Sequence, residues 1–292
     1  MKYIFFIVAM GLLGICRGQE PFAKVDAWLQ ENARDMGGRA ILVVAKDGQI
    51  VHTKSVNDMS SGQRMVDRWI ARQQHQEASF DDYSVATRQP IASCSKWLSA
   101  ALIMTFVDEG KLPMEGEPGK VFHYSNAGLQ IAGAILEKVS GESFETLFGE
   151  RIARPLEMTH TDFGKGPVAL PAGGASSTPE DYIHFLEMIV NRGVYHDVRV
   201  LSEQSVSEMQ VNRLGPEVRI AYTPAENGGA GVGYGYGEWI MGEAVSSPGL
   251  FGSFPWIVNA RGYCAFLMTV NLNNKGRQDR EMELVQLVDA AL

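Results

Sequence analysis

Ser93 and Lys96 stand three residues apart in "IASCSKWLSAAL" (91–102), between apolar runs. On a helix, positions i and i+3 share a face, so the two side chains can meet. A serine hydroxyl is a weak nucleophile until a base removes its proton. A lysine amine becomes that base when burial lowers its pKa by several units. Ile91, Ala92, Trp97 and Leu98 supply the apolar surroundings that such desolvation needs. A capping serine followed by a surface lysine has the same spacing, so the pair alone does not decide the matter.

Two further segments carry groups that would complete this chemistry. In "VFHYSNAG" (121–128), Tyr124 and Asn126 flank Ser125 just before a helix. A phenol held near a lysine relays protons to and from a leaving group. An asparagine amide accepts from the lysine through its oxygen and donates to a substrate carbonyl through its nitrogen. A buried tyrosine beside a helix-capping asparagine is the plainer reading. His123 invites a Ser–His pairing, but neighbours in an extended segment point opposite ways, which leaves it a structural role. In "SSPGLFGSFPWI" (246–257), Gly249 would let a substrate backbone approach, and the N–H groups of Ser93 and Leu250 would hold a developing oxyanion. A glycine turn entering a strand uses the same letters.

The elements that must position these groups are legible from periodicity and punctuation. Phe22, Val25, Trp28 and Leu29 recur at helical spacing over 21–35, and 39–55 reads as two strands joined at Asp47-Gly48. Residues 56–80 read as a surface loop with some helix. A helix follows over 93–109, closed by Gly110, then a breaker-rich loop over 112–120. Further helices are expected over 126–141, over 143–158 with a stop at Pro155, and over 177–193. The last of these has Thr178 as cap and Pro179 at its first position. The tract "GVGYGYGEW" (231–239) contains no dinucleotide-binding glycine pattern. It is expected as loop and strand beside the cleft, with Tyr234 and Tyr236 on one face and glycines on the other. Residues 246–258 and 262–273 read as two strands, and about 280–291 as a final helix. The expected fold class is α/β in the α+β sense. An antiparallel sheet formed by N- and C-terminal strands is flanked by helices, with the helical region 93–210 inserted between sheet strands.

Composition sets the boundaries. The 292 residues carry 26 Lys and Arg against 34 Asp and Glu, a net charge of −8, which argues against a nucleic-acid partner and an anionic membrane surface. Residues 1–18 read as a secretory leader: Lys2, then an apolar run from Tyr3 to Ile15 that is too short to span a bilayer. A lipid-modified Cys16 is the alternative. The remaining residues, 19–292, are expected as one domain, exported to the periplasm or secreted. Cys94 and Cys264 are then the remaining cysteines. They could pair, though Cys94 reads more simply as a small buried residue, and no metal or cofactor motif is present. A nucleophile-elbow G-x-S-x-G, a P-loop and H-E-x-x-H are all missing from the sequence, so no cofactor is expected.

Together, Ser93-x-x-Lys96 and Tyr124-Ser125-Asn126, in this order and context, resemble the penicillin-recognising serine hydrolases. These are the class C β-lactamases, the DD-peptidases and the β-lactamase-like carboxylesterases. The resemblance extends over nearly the whole chain after the leader and includes "ILVVAKDGQIV", "PAGGASSTPEDYIHFLEMIVNRG" and "GYCAFLMTVN". It implies a β-lactamase/transpeptidase-like fold, Ser93, Lys96 and Tyr124 as catalytic residues, and Asn126, Ser247, Gly249 and Leu250 as substrate contacts. The implied substrate is a small-molecule or peptide-like acyl compound. Two departures qualify this. Where the family has a lysine or histidine before its third-motif glycine, this chain reads Ser247-Pro248-Gly249, leaving only a hydroxyl to meet a substrate carboxylate. Only 27 residues separate Lys96 from Tyr124, so a helical stretch usual in the family is shortened and one wall of the site is expected to be open. A serine hydrolase favouring esters or peptides over β-lactams follows. The alternative is a catalytically weak, penicillin-binding-like sensor.

Overall fold

The computed structural model describes residues 21–73, 77–110, 121–164, 166, 168–225, 231–271 and 275–292. The leader expected at 1–18, Cys16 and the expected 112–120 loop lie outside them. Among the described residues, no helix is long and apolar enough to cross a membrane.

Helix α1 (Ala23–Asn32) leads into strands β1 (Arg39–Lys46) and β2 (Gln49–Asn57). Asp47 and Gly48 turn between them with φ of 53° and 71°, the left-handed pair that a two-residue hairpin requires. Helix α2 (Ser61–Gln73) follows, then β3 (Gln89–Pro90), a 3-10 turn Ala92–Cys94, α3 (Ser95–Asp108), β4 (Val121–His123), α4 (Ala127–Ser140) and α5 (Phe144–Phe148). Next come β5 (Ser176–Ser177), α6 (Pro179–Val190), β6 (Val194–Tyr195), β7 (Val198–Arg199), α7 (Glu203–Met209) and β8 (Arg219–Tyr222). The chain ends with β9 (Gly233–Tyr234), β10 (Trp239–Met241), β11 (Ala244–Ser246), β12 (Phe254–Val258), β13 (Tyr263–Thr269) and α8 (Arg277–Ala291).

Seven strands form one antiparallel sheet in the order β2-β1-β13-β12-β11-β10-β9. The N-terminal strand β1 lies directly against the C-terminal β13, with Val43 opposite Phe266. Period-two alternation along β1 divides the core between the two faces. Ile41, Val43 and Ala45 pack toward α3, α5 and α6 with Trp97, Phe148 and Phe185. Ala40, Leu42 and Val44 pack toward α1 and α8 with Leu29, Leu284 and Val288. Both faces are covered, which is why β1 and β13 read as nearly unbroken apolar runs.

Three expectations need correction. Residues 61–73 form a full helix, α2, with its apolar Met65, Val66 and Trp69 exposed, where a surface loop with some helix was expected. The span 246–258 is two strands: β11 ends at Ser246 and β12 starts at Phe254, with Gly252 at φ 95° in the turn between. The helix expected over 143–158 is α5 followed by one π-turn, Gly149–Ala153, ending two residues before Pro155. Cys94 and Cys264 are both buried and free, so they do not pair.

Candidate active site

The sequence around Ser93 begins α3 abruptly. Ala92 sits at φ 47°, an unfavourable region for a residue with a Cβ, and the 3-10 turn Ala92–Cys94 carries the chain into the helix. The turn is braced from three sides. Tyr182 on α6 donates its hydroxyl to the Cys94 carbonyl at 2.8 Å, and Ile91 takes a backbone bond from its N–H to the Ala175 carbonyl. Ser247 lies behind the turn, with its hydroxyl 3.2 Å from the Ser93 carbonyl.

Lys96 is 1% exposed, yet its amine has a full set of partners. Nζ lies 3.0 Å from Ser93 Oγ, 3.0 Å from Asn126 Oδ1 and 2.6 Å from the Ala172 carbonyl. Burial lowers its pKa from the ordinary 10.5 to about 8. As an ammonium it has three protons for three acceptors. As a neutral amine it has two protons and one lone pair. Two of its three partners, the Asn126 and Ala172 oxygens, can only accept. They keep the two protons, and the lone pair is left to the Ser93 hydroxyl, the one partner able to donate. The shell that holds the charged lysine therefore aims the neutral one at the nucleophile.

Tyr124 closes the triangle. Burial raises the phenol's pKa, and a hydrogen bond with the Ser93 side chain pulls it back down. Its ring is stacked on Trp239 with centroids 5.3 Å apart, meets Tyr234 edge-on, and lies 5.1 Å from Lys96 Nζ. Asn126 is the residue before α4, so the helix start that exposes Tyr124 also delivers the amide to Lys96. His123 has its ring 5.4 Å from that of Tyr222 and lines the same cleft as Tyr124.

The third segment sits differently from its sequence reading. Ser247 is 3% exposed, and its single proton is directed at the Gly237 carbonyl at 2.8 Å. It braces backbone and is not presented to a substrate carboxylate. A Cβ on Gly249 would stand 2.6 Å from the Ile91 carbonyl and 3.2 Å from Cys94 Sγ. The close approach made at Gly249 is therefore that of the nucleophile's own turn. Leu250 follows with its side chain exposed. Arg277, at the start of α8, donates to the carbonyls of Gly249 and Leu250 at 3.2 and 3.1 Å and so ties the segment down.

Sequence reasoning missed several groups. The Ala172 carbonyl comes from a loop 76 positions after Lys96. The same loop accepts from Ser99 Oγ at the Pro171 carbonyl and donates from the Ala175 N–H to Ser95 Oγ. A backbone acceptor has no side-chain signature, and the only hint was the turn-forming run Pro171-Ala172-Gly173-Gly174. Gly237, at φ 82°, would place a Cβ 2.5 Å from the Lys96 carbonyl, so the glycine-rich tract presses directly on α3. Tyr234, Gly235, Tyr236 and Gly237 all line one cleft, because a turn at 235–238 breaks the alternation expected there.

Comparison with known sequences decides the family. The sequence model of the β-lactamase family matches residues 111–289, more than half of the chain. The chain belongs to the β-lactamase family. The matched span of this family member starts after Ser93 and Lys96, so that pair stands on its geometry. An uncharacterized protein of Mycobacterium tuberculosis (strain CDC 1551 / Oshkosh) is 26% identical over 182 residues, which cover 50% of this chain and 45% of that protein. The chain thus matches less than half the length of this curated relative. Two solved structures share the fold. The octameric penicillin-binding protein homologue from Pyrococcus abyssi superposes with a TM-score of 0.68 at 18% identity, covering 91% of this chain and 76% of that one. EstCE1, a hydrolase with promiscuous acyltransferase activity, gives 0.68 at 13% identity, covering 91% and 98%. The β-lactamase-like fold expected from the sequence is therefore the fold of this protein.

Proposed function

We propose that this protein is a serine hydrolase that works through an acyl-enzyme on neutral esters or peptide-like acyl compounds. The observation that carries the reading is the buried Lys96 amine, 3.0 Å from Ser93 Oγ, with its other two partners able only to accept. In the proposed cycle Ser93 Oγ bonds to the acyl carbon while its proton passes to Lys96. The backbone N–H groups of Ser93 and Leu250 hold the oxyanion. Tyr124 gives a proton to the departing group and is resupplied by Lys96. Water then repeats the sequence on the acyl-serine.

Two features support esters over β-lactams. No cation stands at position 247, and the Ser247 hydroxyl is engaged with backbone. The hydrolase and acyltransferase activity of EstCE1 belongs to the same class of acyl chemistry. Export through the 1–18 leader to the periplasm or the exterior belongs to the same proposal. The short spacing between Lys96 and Tyr124 favours one second reading, a sensor that acylates and then stalls.

The test is turnover of a short-chain aryl ester and a chromogenic cephalosporin by the purified protein and by Ser93→Ala. Ester turnover that disappears in Ser93→Ala, with slow cephalosporin cleavage, is the expected result. Stable labelling of Ser93 without turnover selects the sensor. Ester hydrolysis surviving in Ser93→Ala overturns both.

A further inference from the structure

A cleft of about 950 Å³ opens beside Tyr124. It lies within the size range of small-molecule sites. Its floor is the stripe of α3 beyond Lys96, at i, i+3, i+4, i+7 spacing: half-buried Ile103 and Val107, with Ala100 and Met104 buried between and behind them. Leu129 and Phe122 extend the apolar wall from the Tyr124 side. From Ala100 to Val107 the helix rises about 10 Å, so the stripe matches an extended alkyl chain or an aromatic group and linker. Polar groups share the lining: His123 and Ser125 flank Tyr124, Asp108 follows Val107, and Arg213 is paired to Glu208 at 2.7 Å with its guanidinium 4.4 Å from the centre of the Tyr236 ring.

We infer that this cleft binds the leaving alcohol of the substrate, and that the preferred substrates are esters of large apolar alcohols. This rests on the proposed hydrolase reading. The argument turns on which end of the substrate meets the cleft. When the acyl-enzyme forms, the Ser93 Oγ–carbon bond is made and the carbon–alcohol oxygen bond breaks. The departing oxygen takes the Tyr124 proton, and the proton that Ser93 gave to Lys96 replaces it. The alcohol must therefore leave past Tyr124. Tyr124 lines the cleft, which extends along α3.

Gly128 supplies the test. It lines the cleft in the first turn of α4, and a Cβ there meets nothing within 4 Å, so a larger side chain fits the helix and projects into free space. Two series of esters separate the ends of the substrate: acetates of ethyl, hexyl and phenylethyl alcohols, and ethyl esters of acetic, hexanoic and phenylacetic acids. The readout is kcat/KM, which reports the steps through acylation. Lengthening the alcohol is expected to raise kcat/KM at least about tenfold, and lengthening the acid to change it much less. Gly128→Phe is expected to erase most of the alcohol preference. Gly128→Ala, with the same backbone change, is expected to keep it. A flat alcohol series, an acid series that rises instead, or an alcohol preference untouched in Gly128→Phe overturns the inference. Ser93-dependent turnover of ethyl acetate in the same experiment tests the hydrolase reading separately, so the two cannot fail unnoticed together.

Discussion

Lys96 does its proposed work only when neutral, and its surroundings set the pH at which that happens. Burial brings the amine to about 8, so roughly a tenth is neutral at pH 7. kcat/KM is therefore expected to rise with pH through about 8 and level off above about 9. Burial raises the Tyr124 phenol, so no falling limb is expected below pH 10. Asn126→Asp would put a carboxylate where the amide oxygen now accepts from Nζ. An opposite charge favours the ammonium, so the rising limb should move to higher pH by about one unit or more. A limb that stays in place in Asn126→Asp would detach it from Lys96. The same titration has a stability side. Between about 8 and 10.5 the unfolded chain holds a lysine proton that the folded chain has released, so the wild type gains stability with rising pH across that window. Urea midpoints of wild type and Lys96→Met should shift in favour of the wild type between pH 7.5 and pH 10.

At the scale of elements, the nucleophile's turn is held by contacts that leave no spare room. Gly249→Ala would drive a Cβ to 2.6 Å from the Ile91 carbonyl. It should displace the Ala92–Cys94 turn and lower kcat on any ester, with a lowered Tm as the accompanying sign. A contrasting substitution is Thr178→Ala. The Thr178 side chain caps α6 by accepting from the Asp181 N–H at 3.1 Å. Its loss should cost about 1 kcal/mol in a denaturant titration. Elements of this kind were readable in the sequence because a single residue with a mechanism marks each boundary. Thr178-Pro179 opens α6, Gly141 at φ 78° closes α4, and Asp47-Gly48 turns the hairpin. What was not readable has a common physical cause. The contacts that fix Lys96 and the third segment run through backbone atoms, namely the Ala172, Gly237 and Ile91 carbonyls, and any residue type supplies a carbonyl. Helix α2 escaped for another reason: its few apolar residues, Met65, Val66 and Trp69, stand among Arg64, Asp67, Arg68 and Arg72, and the segment reads as polar surface chain.

Across the whole molecule, the two buried cysteines, Cys94 and Cys264, report on integrity. Cys94 is part of the nucleophile turn and Cys264 lies in strand β13, and burial pushes both thiols up. A thiol reagent should label neither in the folded protein and both in urea, and a reductant should leave Tm unchanged. Early labelling of Cys94 alone would indicate that the turn opens before the sheet does. The pairing of β1 with β13 has a further consequence for how such a chain comes into being. Val43 finds Phe266 only after some two hundred intervening residues have left the ribosome. Until then the most apolar strand of the hairpin has one edge uncovered, and ordinary translation speed makes that wait a matter of ten seconds or more. Newly made protein should therefore depend on holding chaperones more than its finished stability would suggest.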